Sequence, residues 1–265
     1  MLRKGDLTQG GITGTLLHFT LPMLVGSFLQ QCYNIADTLI VGQCIGAGAL
    51  AAVGSAYTLM VFLISVLLGL AMGSGTVFSL HYGAGNHVAL RRSIFSSFAL
   101  IGIVTLILNV VVFIWLDPIL RLLQVPQDIY GMMRSYLWII FCGIVFTFIY
   151  NFYASLLRAV GDSVTPIWFL AVSVVLNIAL DLFFILQLDW GIQGAAAATV
   201  LAQGVAALGI IIYTYRRRPE LRWHHEDMCF DRTCLKEIAS FSTLTCVQQS
   251  VMNLGILMIQ GLVNS

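Results

Sequence analysis

Charge is what this sequence has least of. Only 9% of its 265 residues are Asp, Glu, Lys or Arg, against about 25% in an ordinary soluble domain. With 59% apolar residues and a mean hydropathy of +0.92, that scarcity excludes a soluble globular enzyme and a disordered chain. It also excludes a nucleic-acid binder that works through a basic surface. The cysteines (Cys32, Cys44, Cys142, Cys229, Cys234, Cys246) form no C-x-x-C pair and no His/Cys cluster at metal-ligand spacing, so they read as small apolar filler or reduced thiols. There is no G-x-x-x-x-G-K-[ST], no H-E-x-x-H and no Ser/His/Asp arrangement, so ATP-driven pumping and intramembrane proteolysis both lose their chemistry. The expectation is neither an enzyme nor a holder of a cofactor. A cleavable leader is not expected either: the apolar stretch after Arg3 and Lys4 far exceeds the about 7–15 residues of a signal core.

What is present is apolar length. A bilayer core needs roughly 20 apolar residues in a helix. Seven segments qualify: Thr15–Val41, Leu50–Tyr82, Ser93–Leu116, Ile129–Leu157, Pro166–Leu188, Gly194–Tyr215 and Ile238–Val263. Lipid offers unpaired backbone groups no partner, and the segments are too long and uniform for barrel strands, so helix is forced. The reading is an all-α, multi-pass protein of a bacterial-type inner (plasma) membrane, its partner the lipid bilayer. Basic residues set its orientation. With the N-terminus cytoplasmic, the inner segments hold Arg3, Lys4, Arg91, Arg92, Arg158, Arg216, Arg217, Arg218, Arg222, Arg232 and Lys236; the outer ones hold Arg121 and Arg134. The domains expected are a cytoplasmic segment (1–14), a six-helix lobe (15–215), a cytoplasmic linker (216–237) and a seventh helix (238–265). The linker's acids nearly cancel its bases, so it reads as a solvated loop, and His224-His225 within it is weak evidence for a metal.

Two of the 12 carboxylates fall inside spans. Asp37 and Asp181 each sit in the outer half of theirs, where a charged Asp costs about 2.5–3.5 kcal/mol on insertion scales and marks an ion or substrate path. Tyr33 and Asn34 precede Asp37 by four and three residues, and Asn177 precedes Asp181 by four. Helical spacing stacks these polar groups beside each carboxyl. No basic residue lies at matching depth. Such a carboxyl can exchange a proton or, with neighbouring oxygens, ligate Na⁺; the alternative is a carboxyl that caps a broken helix or bonds a neighbouring span. Asn109, Asn151 and Asn177 alone read as interhelical glue. Gly69-x-x-x-Gly73 and Gly194-Ala-Ala-Ala-Ala-Thr199 read as close-packing faces. Pro22 removes a backbone hydrogen bond from the first span, giving a kink that is either static or a hinge. Phe28, Phe148, Tyr150 and Tyr153 read as packing or lipid-facing rather than as a drug pocket.

Several stretches together resemble one family. They are Asp6-Leu-Thr, Pro22, Gln30-Gln31-x-Tyr33-x-x-x-Asp37, Val41-Gly42-x-x-x-Gly46-Ala-x-Ala-Leu-Ala-Ala, Arg158-x-x-Gly161-Asp162-Ser-x-Thr165-Pro166, Asn177-x-x-x-Asp181 and Trp190-Gly-Ile-x-Gly-Ala-Ala-x-Ala-Thr199. The chain resembles the multidrug and toxic compound extrusion (MATE) transporters. That resemblance implies a twelve-helix, pseudosymmetric secondary antiporter exporting small organic, often cationic, compounds against inward H⁺ or Na⁺. It implies an ion site at Tyr33, Asp37, Asn151, Asn177, Asp181 and Thr199, with Na⁺ at Asp37, Asn151, Asn177 and Asp181 if that is the ion, and Pro22 as hinge. It also implies a second lobe as partner. Gln248-Gln249-x-x-x-Asn253 loosely echoes Gln30-Gln31-x-x-Asn34, an internal pseudosymmetry common among transporters. The chain is therefore expected to be the N-terminal part of a longer frame, one that inserts but does not transport alone. Two rival readings stay open: a lipid-linked precursor or polysaccharide flippase of the same superfamily, and a non-transporting half-length scaffold.

Overall fold

The computed structural model describes residues 12–222 and 232–263. Residues 1–11, the His224-His225 pair and the middle of the expected linker lie outside the described residues. Helices α1 (Ile12–Cys44), α2 (Ala47–Gly83), α3 (His87–Leu122), α4 (Gln127–Cys142), α5 (Ile144–Ala159), α6 (Val164–Leu182), α7 (Gly191–Arg217) and α8 (Arg232–Val263) account for nearly all of the described chain, which has no strand. A π-helical turn, Phe183–Gln187, prolongs α6, and a 3₁₀ turn, Pro219–Leu221, follows α7.

Uniformly apolar composition makes these helices long. The 36 residues of α3 rise about 54 Å at 1.5 Å each, more than the roughly 30 Å hydrocarbon core, so its polar ends, Arg91 and Asp117, extend past that core. Large apolar side chains face outward, among them Ile114 and Trp115 on α3, Trp168 and Val175 on α6, and Leu208 and Ile212 on α7. Asp37 and Asp181, with hydroxyls such as those of Ser74, Ser97 and Thr199, are buried within. This polarity, greasy outside and polar within, is what lipid selects.

Two differences from the sequence reading have local causes. The span read as Ile129–Leu157 is two helices, α4 and α5, bent by 48°. The bend sits at Gly143, where a Cβ would come within 2.5 Å of Val200 Cγ2 and 2.7 Å of its Cγ1. Glycine thus lets α7 press against the corner, and Val200 is the neighbour of Thr199. Gly143→Ala is expected to cost about 1–3 kcal/mol, the scale of overpacking a tight contact, in a detergent unfolding titration, and to shift Thr199. The second difference is at the linker: Arg216 and Arg217 close α7, and Arg232–Glu237 already belongs to α8. Pro22 lies inside the helical run of α1, which continues through it.

The sharpest turns are built by side chains. In Gly161-Asp162-Ser163-Val164-Thr165, Gly161 takes φ +86°, a region open to glycine. Asp162 then accepts the Thr165 backbone N–H at 3.1 Å and its hydroxyl at 2.8 Å, satisfying donors at the start of α6. Arg218 at the end of α7 lies 3.7 Å from the same carboxylate. The motif is a helix start tied to α7. Tyr150 donates to the Pro166 carbonyl at 2.9 Å, Phe148 and Tyr153 are buried, and Phe28 is exposed on α1.

Candidate functional site

Three helices bring the predicted polar groups together. Asp37 and Tyr33 are one turn apart on α1, Asn177 and Asp181 one turn apart on α6, and Thr199 faces them from α7. Asp37, Asn177, Asp181 and Thr199 are all buried, Asn177 and Asp181 at 0% exposure. The Tyr33 hydroxyl donates to Thr199 Oγ1 at 3.3 Å. In the amide orientation that satisfies both ends of Asn177, its Nδ2 donates to Asp181 Oδ2 at 3.0 Å and its Oδ1 accepts the Thr199 backbone N–H at 3.2 Å. In the opposite orientation Nδ2 reaches Thr199 Oγ1 at 3.3 Å.

One oxygen of each acid remains unanswered. Oδ1 of Asp37 and Oδ1 of Asp181 are buried without a hydrogen-bond donor. The pairs His81–Glu237, Arg134–Asp117, Arg218–Asp162 and Arg218–Glu220 all lie away from these two acids. The two carboxylates instead share one cluster with the Tyr33, Thr199 and Asn177 polar groups. Buried polar atoms are normally satisfied, and an unpaired charge taken out of water costs several kcal/mol. Two orphaned oxygens facing a cluster of hydroxyl and amide groups are what a small cation or a proton would complete. The donor set of carboxylate, amide and hydroxyl oxygen suits a hard cation. Among the described residues no three His, Cys, Asp or Glu gather as a metal cluster would, so an Na⁺ here would lean on Asn and Thr oxygens.

Not every expected member joins. Asn151 lies on α5, and its Nδ2 donates back to the Thr147 carbonyl at 2.8 Å. It makes no hydrogen bond to either acid. Asn109 behaves as glue, donating to the Phe141 carbonyl at 2.7 Å. Conversely, the sequence reading missed Tyr136. This α4 tyrosine is buried within electrostatic reach of Asp37, Tyr33 and Asp181. Its only sequence signal is a hydroxyl in an apolar stretch, which does not tell one tyrosine from another.

At the far end of the bundle, Asp117 binds Arg134 through two contacts, at 2.7 and 3.2 Å, and accepts the Tyr130 hydroxyl at 2.9 Å. One of the two basic residues expected outside is thereby matched by an acid beside it. At the other end Arg91, Arg158 and Arg216 to Arg218 gather where α3 begins and α5 and α7 end.

Comparison with known proteins covers the same stretch. The family model MatE matches residues 22–183. The probable multidrug resistance protein YpnP of Bacillus subtilis (strain 168) is 34% identical over 217 residues, 82% of this chain and 49% of its own length. The multidrug export protein MepA of Staphylococcus saprophyticus is 31% identical over 210 residues, 76% of this chain and 45% of its own. Among solved structures, the outward-facing conformation of a multidrug resistance MATE family transporter of the MOP superfamily superposes with a TM-score of 0.85 at 24% identity, covering 91% of this chain and 53% of that one. An inward-facing conformation with the same description gives 0.76 at 26% identity, covering 85% and 51%. The chain spans about half the length of the relatives it matches.

Proposed function

The chain belongs to the MatE family, and from that premise we propose that it forms the ion-coupling lobe of a secondary antiporter exporting small organic compounds. The family consists of transporters, not enzymes, and the chain is a multi-pass protein of the plasma membrane. In the proposed architecture α1 to α7 make one six-span lobe, with α4–α5 as a single bent span, and α8 opens a second lobe that shares the cavity. The Arg-rich end faces the cytoplasm, as the positive-inside rule demands.

The observation that carries the reading is the pair of buried, cation-free carboxylates, each with an orphaned oxygen. Asp37 and Asp181 accept H⁺ or Na⁺. Tyr33 holds Thr199 toward them, and Asn177 links Thr199 to Asp181. Filling the site neutralises the buried acids and lets α1 and α6 close on each other. The ion does work only by binding the outward and inward arrangements unequally. The names of YpnP and MepA support organic compounds as the cargo. A lobe without Lys or Arg beside its acids supports cationic cargo over anionic headgroups.

The test is dye efflux by the assembled two-lobe transporter in energised cells, with H⁺ and Na⁺ gradients collapsed separately. Collapse of one gradient is expected to stop export, and Asp37→Asn to lower it at least tenfold at unchanged expression. Export that survives both collapses, or a fully active Asp37→Asn, would sink the reading.

A further inference from the structure

At the Arg-rich end of the bundle three helices border a cavity of about 220 Å³. Asp37 and Asp181 lie toward the opposite ends of α1 and α6. The last turn of α2 contributes His81, the start of α3 contributes Asn86, Arg92 and Ser93, and the start of α8 contributes Cys234 and Glu237. Most of these polar groups are engaged. The Asn86 side-chain oxygen accepts the Ala89 N–H at 3.1 Å. Ser93 donates to the Ala89 carbonyl at 2.8 Å and accepts from the Cys234 thiol at 3.2 Å. His81 Nε2 lies 3.6 Å from Glu237 Oε2. Arg92 is the exception. Its Nε is buried without an acceptor, and among the described residues no carboxylate pairs with its guanidinium.

A guanidinium cannot shed its charge, so taking part of it out of water without an acceptor is costly. The cavity beside it has room for one. Its volume equals about seven waters at about 30 Å³ each, more than the five heavy atoms of a phosphate require. The depth is also right. The 36 residues of α3 overrun a roughly 30 Å core by about 12 Å at each end. Arg92, five residues past His87, stands about 7.5 Å from the start of the helix, in the layer of lipid phosphates. We infer that this cavity binds a phosphate group, held by the Arg92 guanidinium, whose fork of N–H donors matches phosphate oxygens. Asn86 keeps its Nδ2 as a second donor, because its oxygen is committed to Ala89. The acid of the lining, Glu237, is exposed and stands beside His81 rather than Arg92. An anionic phospholipid headgroup and free phosphate offer the same chemistry, and basic pockets between membrane helices take such headgroups. Because α8 supplies part of the lining, the bound phosphate ties the start of α8 to α2 and α3. The site stands whether or not Asp37 and Asp181 couple to an ion.

The test uses the full 265-residue chain in an uncharged detergent. Native mass spectrometry measures retention of dioleoylphosphatidylglycerol, with dioleoylglycerol as the phosphate-free control, and equilibrium dialysis measures binding of ³²P-labelled inorganic phosphate. A single phosphate-bearing ligand per chain is expected. Arg92→Gln is expected to weaken its binding about tenfold or more, the scale of a lost charge-assisted contact. Arg121→Gln, at the opposite end of α3, is expected to leave it unchanged. Glu237→Gln removes a negative charge from the lining and is expected to tighten binding about threefold, a gain that misfolding cannot mimic. Retention of phosphatidylglycerol without inorganic phosphate makes the ligand a lipid headgroup, and binding of inorganic phosphate makes it the free ion; both uphold the site. Equal retention of the two lipids with no phosphate bound overturns it, because acyl chains alone would then be recognised. So does binding that is unaltered in Arg92→Gln, or that fails to tighten in Glu237→Gln.

Discussion

Asp181→Asn is expected to yield a protein that is more stable and has lost its ion response. Asp181 is fully buried, its Oδ2 is answered by Asn177, and its Oδ1 has no donor. Asparagine has the same shape, keeps an oxygen for Asn177, and removes a buried charge that no cation matches. Replacing buried ionic groups by neutral groups of similar volume stabilises by about 1–4 kcal/mol, and relief of a lone buried charge is expected on that scale. For a chain of this size that corresponds to a rise in unfolding temperature on the order of 2–16 °C. The same change removes the group that binds H⁺ or Na⁺, so the stabilisation that Na⁺ or acid gives the wild type should vanish in the variant. Thermal unfolding in detergent, with and without Na⁺ and at two pH values, reads both effects together. A less stable Asp181→Asn that still responds to ions would mean that the carboxylate is structural, held by contacts its geometry does not show. The prediction expresses a trade seen wherever function needs strain: the groups that cost stability are the groups that work.

The asymmetry between the two acids and the rest explains what could be read from sequence. Asp37 and Asp181 were legible because an ionisable residue amid twenty apolar ones violates the chemistry of lipid by itself. Tyr33 and Asn177 followed from helical spacing alone. Thr199 came only through family likeness, since one hydroxyl in an alanine-rich helix has no local signature; its partners Tyr33 and Asn177 are 166 and 22 residues away. Tyr136 was missed for the same reason: it becomes informative only when the helices close around the acids. Asn151 shows the converse. Its position was expected from likeness, yet the structure turns its amide back onto α5. The bend at Gly143 carried no warning because the bending residue is a glycine whose reason, Val200, lies on another helix. The turn at Gly161 was legible as a turn, but its closing contact with Arg218 was not.

Gly73→Val is expected to pry α8 from α2, and with it the first helix of the proposed second lobe. Glycines 69 and 73 sit one turn apart and meet Cys246 and Ser242, also one turn apart on α8. A Cβ at Gly73 would come to 2.5 Å of the Ser242 backbone nitrogen; one at Gly69 would come to 2.6 Å of Cys246 Sγ and 2.8 Å of its Cα. Backbone atoms cannot swing away, so the helices themselves must separate. The approach is sealed by the Ser242 hydroxyl on the Leu70 carbonyl at 3.3 Å and Cys246 on the Val66 carbonyl at 3.5 Å. In lipid, with no hydrophobic drive between helices, such close packing is what holds them together. Overpacking costs about 1–3 kcal/mol, and a displaced α8 would also break the His81–Glu237 pair at 3.6 Å. Maleimide labelling of Cys246, followed by peptide mass spectrometry, reports the separation. At least tenfold faster labelling is expected in Gly73→Val, with Gly54→Val, whose Cβ meets nothing within 4 Å, as the control that stays at the wild-type rate. Equal labelling in wild type and Gly73→Val would show that α8 does not depend on this contact. A lobe that rocks against its partner could then not use the α2–α8 crossing as its fixed point.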